Sequence, residues 1–135
     1  TAAILNRIPY GNMVIIETPF TMLPAELIAL LNVPAGRSIY LLYAHLNHAP
    51  LVELGDEIRC GQPIGEVGNT PKGWSSNPHL HLEGRIGPPG VSFESMAYYD
   101  TGATIEEMEN YRLWRMSGDF TLFDPMVLLG YGLKE

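Results

Sequence analysis

The chain has 135 residues, a formal charge of −7, 46% hydrophobic and 17% charged residues, and a single cysteine, Cys60. That length suits one domain around one core, and that composition excludes a disordered chain. An acidic balance with no basic cluster excludes nucleic-acid binding by phosphate neutralisation, a lone cysteine excludes an internal disulfide or a cysteine-rich zinc site, and no apolar run approaches the roughly 20 residues that cross a membrane.

The chain opens on Thr1 rather than Met and shows no signal peptide, so we expect its encoded start to lie further upstream. Tyr10-Gly11-Asn12 reads as a turn or strand entry, and the β-branched run at 13–17 as a strand. Residues 23–32 predict a short helix, with Pro24 in its first turn and Asn32, Pro34 and Gly36 ending it. This helix interrupts a long β-hairpin whose second strand runs from 38 to 46. That strand has no Gly or Pro and is rich in aliphatic and aromatic residues, so it reads as largely buried. His45 stands near its end, where sheets hand over to loops and sites are often built. His48, beside Pro50, reads as a surface loop residue.

Glycines 55, 61, 65 and 68 divide residues 51–67 into short apolar pieces, which predicts a small, strongly bent β-hairpin unit. The polar loop 69–78 holds Trp74, a candidate substrate contact or a packing residue. It leads into His79-Leu80-His81-Leu82-Glu83. Two histidines at i and i+2 share one face of a strand, roughly 6.5–7 Å apart, while Leu80 and Leu82 point the other way into a core. Such a face can hold a metal or supply a general base near neutral pH. The same pattern also fits a half-exposed strand with solvated histidines.

After Arg85, Gly87-Pro88-Pro89-Gly90 breaks regular structure. Thr104 and Glu107 form a capping-box pattern, and Ile105, Met108, Tyr111 and Trp114 follow at i+3 spacing, an apolar stripe that packs on the sheet. Asp124-Pro125 opens a last short turn or helix that Gly130 closes.

With these residues in view, the chain resembles the lysostaphin-type, LytM-like zinc endopeptidases that hydrolyse peptidoglycan. The resemblance runs in order through Tyr10–Ile16, Tyr43–Leu46, Val52–Asp56, Gly61–Gly65, Gly68–Thr70 and Pro78–Arg85, with Asp124-Pro125 near the end. It implies a mainly β fold, an antiparallel β-sheet sandwich of the duplicated hybrid motif type, with one or two short inserted helices. It implies one such domain over residues 1–135, incomplete at its N-terminus, with insertions at 18–37 and 91–123. By the resemblance His81 is a zinc (Zn2+) ligand, and His45 and His79 are the unligated catalytic histidines. Trp74 and Tyr43 are weaker candidates for substrate contact. The implied reaction is hydrolysis of a peptide bond in peptidoglycan through a metal-bound water, in an extracytoplasmic setting.

The family takes two further zinc ligands from an upstream His-x-x-x-Asp segment. Residues 1–9 contain neither His nor Asp. The expectation is therefore a fragment whose remaining ligands lie outside it. The alternative is a degenerate, non-catalytic module that binds cell wall or activates a partner hydrolase. Replacement ligands from His48, Asp56, Asp100 or Asp119 have no support in the sequence. A biotinyl- or lipoyl-type carrier domain is disfavoured, because neither Lys72 nor Lys134 sits at a hairpin tip.

Overall fold

The computed structural model describes residues 8–71, 77–99 and 101–132. Its sheet is antiparallel, in the order β1 (Asn12–Thr18), β2 (Ser38–Leu46), β3 (His81–Gly87), β4 (Thr121–Phe123). Among the described residues three short α-helices, α1 (Ala25–Leu31), α2 (Ile105–Arg115) and α3 (Met126–Gly132), and one 3-10 turn (Phe20–Met22) accompany it. The organisation is mainly β, as the sequence predicts.

β2 lies inside the sheet and is covered on both faces, which is why its sequence is an almost unbroken apolar run. Residues directly opposite on antiparallel strands share a face. Tyr40 pairs with Arg85, Leu42 with Glu83 and Ala44 with His81. On that face Tyr40, Leu42 and Ala44 join Phe93, Met96, Tyr111, Trp114 and Phe120 in the larger core cluster. Edge-on aromatic contacts tie it together, with Tyr40 5.1 Å from Phe120 and Phe93 5.4 Å from Trp114, ring centre to ring centre. On the other face Ile39 and Ile86, a cross-strand pair, pack with Leu27 and Val33 and with Phe123. The segment after β1, with Phe123, thus covers one face, and residues between Phe93 and Phe120 cover the other.

The helices begin and end as their residues dictate. α1 ends on Asn32 in the left-handed region, at φ 54°. α2 carries the predicted capping box: Thr104 Oγ1 accepts from Glu107 N–H at 3.1 Å, and Glu107 Oε1 accepts from Thr104 N–H at 3.0 Å. Tyr111 and Trp114 are buried, but Ile105 is 71% exposed, so the expected stripe packs only through its later members. α3 runs through Gly130, past the stop its sequence suggested, with Asp124 Oδ1 accepting from Met126 N–H.

Residues 47–67 form a looser arm than the predicted hairpin. Two backbone bonds close it, Asn47 N–H to Glu66 O and Leu51 N–H to Ile64 O. Gly55 and Gly61 turn it at φ 93° and 81°. β4 was not foreseen. It exists because Gly84 and Gly87 leave room for rings. A Cβ on Gly84 would stand 2.6 Å from Phe123, and one on Gly87 2.4 Å from Phe120.

Candidate active site

One end of the sheet gathers three imidazoles. The His45 ring lies 4.7 Å from that of His79 and 5.5 Å from that of His81, centre to centre. They come from the end of β2, the approach to β3 and the first residue of β3. Strict alternation along β2 would put His45 on the opposite face from Ala44, and so away from His81. A backbone φ of 62° breaks that alternation at His45. A non-glycine residue in this region costs on the order of 1–3 kcal/mol, and its surroundings must hold it there. Here the His45 N–H bonds Tyr10 O at 2.9 Å, and β1 bulges between Asn12 and Val14 opposite the same point.

Thr70 holds the His45 ring. Its carbonyl accepts from His45 Nδ1–H at 2.6 Å, its hydroxyl donates to Leu46 O at 2.7 Å, and the same hydroxyl accepts from Asn12 N–H at 3.1 Å. Two glycines permit this approach. A Cβ on Gly11 would lie 2.6 Å from the Thr70 carbonyl carbon, and one on Gly68 2.3 Å from the Asn47 backbone. Gly68 O in turn accepts from His79 N–H at 3.0 Å, which brings His79 to the site.

The partners of each ring fix its tautomer. His45 and His79 donate from Nδ1, to Thr70 O and to Asn77 O at 2.7 Å, so each carries its lone pair on Nε2. His81 is the reverse. Its Nε2–H donates to Glu83 Oε2 at 2.9 Å, and its lone pair is on Nδ1. Burial, with the like charges of His79 and His81, pushes the His45 pKa down against the opposing pull of the Thr70 carbonyl. His45, 8% exposed, is thus neutral at neutral pH and suited to accept a proton.

Glu83 sits beneath His81 on the same face. Arg85 grips its second oxygen from Nη2 at 3.0 Å and Nε at 3.3 Å. Burial pushes the Glu83 carboxyl up, but the bonds from His81 and Arg85 and the nearby Tyr10 hydroxyl outweigh it and hold the pKa at about 2. The Tyr10 ring stands 5.6 Å from His81. Its buried hydroxyl feels the Glu83 charge but makes no hydrogen bond of good geometry with any described residue.

Not every residue singled out from sequence arrives here. Tyr43 pairs with Leu82, on the face opposite His81. Leu80 is 42% exposed, so of the two expected core leucines only Leu82 is substantially covered. Trp74 and Asp100 lie outside the described residues. His48 is exposed and contacts Asn47, Asp56 caps its own turn by accepting from Glu53 N–H, and Asp119 is exposed. Glu83 and Thr70 were given no role from sequence. Glu83 follows the period-2 pattern of His79 and His81 and could have been found that way. The Thr70 contact spans separate loops and leaves no local signal.

The fold is an antiparallel sheet with proton-transfer groups concentrated at one end, and the family comparison gives it a class, that of peptidases. The model of peptidase family M23 matches residues 4–92, a span that includes all three imidazoles, and the chain belongs to that family. No curated protein and no solved structure matches it.

Members of family M23 are generally zinc-dependent, and a catalytic zinc takes three protein donors. The described residues do not meet that need: no group of three or more His, Cys, Asp or Glu among them could hold a metal ion. His81 Nδ1 is a suitable single donor, with its other nitrogen tied to a carboxylate as metal-bound histidines commonly are.

Proposed function

We propose that this chain carries the histidine face of a zinc-dependent endopeptidase that hydrolyses peptide bonds in bacterial cell-wall peptidoglycan. One observation carries the reading: at the end of β2 the His45 ring lies 4.7 Å from that of His79 and 5.5 Å from that of His81, two rings carried by a distant stretch of chain. In this reading His81 contributes one metal donor, and the others come from protein outside the described residues.

The chain's own part in the chemistry is proton transfer. His45, kept neutral by burial, takes a proton from the attacking water at Nε2 as the water oxygen bonds to the scissile carbonyl carbon. The carbon–nitrogen bond then breaks, and the leaving nitrogen receives a proton from the His45–His79 pair. A protonated ring in that pair also steadies the oxyanion while it exists. The substrate places the working protein outside the cytoplasm. Among the described residues no helix is long and apolar enough to cross a membrane.

The test is release of new amino termini from purified peptidoglycan by the zinc-loaded protein. His45→Ala and His79→Ala are each expected to cut the rate at least about 100-fold, the usual scale for losing a general base, with circular dichroism unchanged. Unchanged rates in both variants sink the reading.

A second reading has its own observation, the want of a three-donor cluster among the described residues. A non-catalytic module would bind peptidoglycan, or switch on a partner hydrolase, without zinc. Binding to cell wall with no zinc retained and no bond cleaved favours it.

A further inference from the structure

Three residues at alternate positions of β3, namely His81, Glu83 and Arg85, point to the same face and form a continuous chain of hydrogen bonds. His81 Nε2–H donates to Glu83 Oε2 at 2.9 Å, and Arg85 donates to Oε1 through two nitrogens. The chain does not end there. Arg85 Nη1 donates to Phe120 O at 3.1 Å, and its guanidinium lies 5.2 Å from the centre of the Trp114 ring. Trp114 belongs to α2, and Phe120 precedes β4. Exposure falls along the chain, from 36% for the His81 side chain to 11% for Glu83 and 7% for Arg85. The outer end is therefore free to work, and the inner end is locked in the core.

We propose that Glu83 is a positioning residue that fixes the ring orientation and tautomer of His81, and that Arg85, clamped by Trp114 and Phe120, positions Glu83. The segment between β3 and the end of β4 is then more than a cover for the core. It sets the angle of a site imidazole from behind.

The chemistry favours this arrangement over simple charge compensation. An ion pair alone would need only one contact between Glu83 and Arg85. Here the two carboxylate oxygens are divided, one for the imidazole and one for the guanidinium fork. A planar fork held by two further contacts cannot swing as a lysine ammonium would. The carboxylate plane is thereby set, and with it the direction from which His81 Nε2–H is drawn. The other nitrogen, Nδ1, is left as the ring's lone-pair position.

The inference deepens the hydrolytic reading of this site and rests on it only for the consequence in turnover. Its test needs neither substrate nor metal. In the whole chain above the imidazole titration range, long-range proton–nitrogen NMR should show His81 protonated at Nε2. A resolved, slowly exchanging ring N–H resonance should accompany it. Glu83→Asp keeps the charge but withdraws the oxygens by one methylene, and should lose that resonance. Arg85→Lys cannot hold both bonds to Oε1 and should broaden it.

A wild-type His81 protonated at Nδ1, or lacking the resonance, overturns the proposal. So does a resonance kept unchanged in E83D, which would mean charge compensation only. An unaltered resonance in R85K removes the Arg85 limb. In turnover, E83D should cost about 10–100-fold, the scale found for partners of site histidines. A chain that proves catalytically silent leaves the NMR outcome intact, so the two readings fail separately.

Discussion

A carboxylate with 11% of its side chain exposed stays ionised only when donors surround it, and Glu83 has them on both oxygens. Its ordinary value near 4.5 falls to about 2 in the folded chain. A depressed folded pKa means that the unfolded chain binds the proton more readily. The stabilisation is complete above the ordinary value and drains away as pH falls from about 4.5 towards 2. Glu83→Gln cannot titrate. We expect wild type to exceed it by on the order of 2–3 kcal/mol at neutral pH, a gap that closes across that acid window. Urea midpoints of the two proteins at several pH values measure this. A gap constant with pH would mean that Glu83 is not held as an anion by its neighbours.

Among the elements, α2 and β4 show how local chemistry supports distant geometry. The Thr104 capping box satisfies backbone donors that the first turn of α2 would otherwise leave unpaired. Thr104→Ala should cost about 1 kcal/mol, read as a lower thermal midpoint, with the rest of the sheet undisturbed. Gly84 is a harder constraint. A methyl there would press on the Phe123 ring, and the ring is held between β3 and the α1 face. Gly84→Ala should cost about 1–3 kcal/mol as an overpacked core, and should weaken protection from hydrogen exchange first at β4. The sequence disclosed α2 through its cap and β2 through its apolar run, because both signals are local. It also disclosed the histidine pair, because a period of two needs only neighbours. It did not disclose β4, since three residues of mixed exposure carry no pattern until Gly84 and Gly87 are seen to admit the rings. Nor did it disclose the turn of His45 onto the His81 face. That depends on a left-handed backbone angle held by Tyr10 and Thr70, residues far from it in the chain.

At the scale of the whole molecule, Trp114 joins the core to the site. Trp114 is fully buried, meets Tyr40, Phe93 and Phe120 at 6.3, 5.4 and 5.5 Å, and lies under the Arg85 guanidinium. Its indole Nε1–H has no partner among the described residues, a cost carried within an otherwise apolar cluster. These facts separate two substitutions that a burial argument alone would treat alike. Trp114→Ala removes the ring, the face beneath Arg85 and the packing of α2 on β2, and should cost about 3–5 kcal/mol. Trp114→Phe keeps an aromatic face at the same place and deletes the unpaired donor, so part of the lost volume is offset by the polar group no longer buried. Denaturant titration should rank the proteins wild type, W114F, W114A, with W114F much nearer wild type. The His81 ring N–H signal should survive in W114F and be lost in folded W114A, because only the second leaves Arg85 without its support. Equal destabilisation in both variants would show that volume alone governs the core. An intact His81 signal in W114A would show that core and site are independent after all.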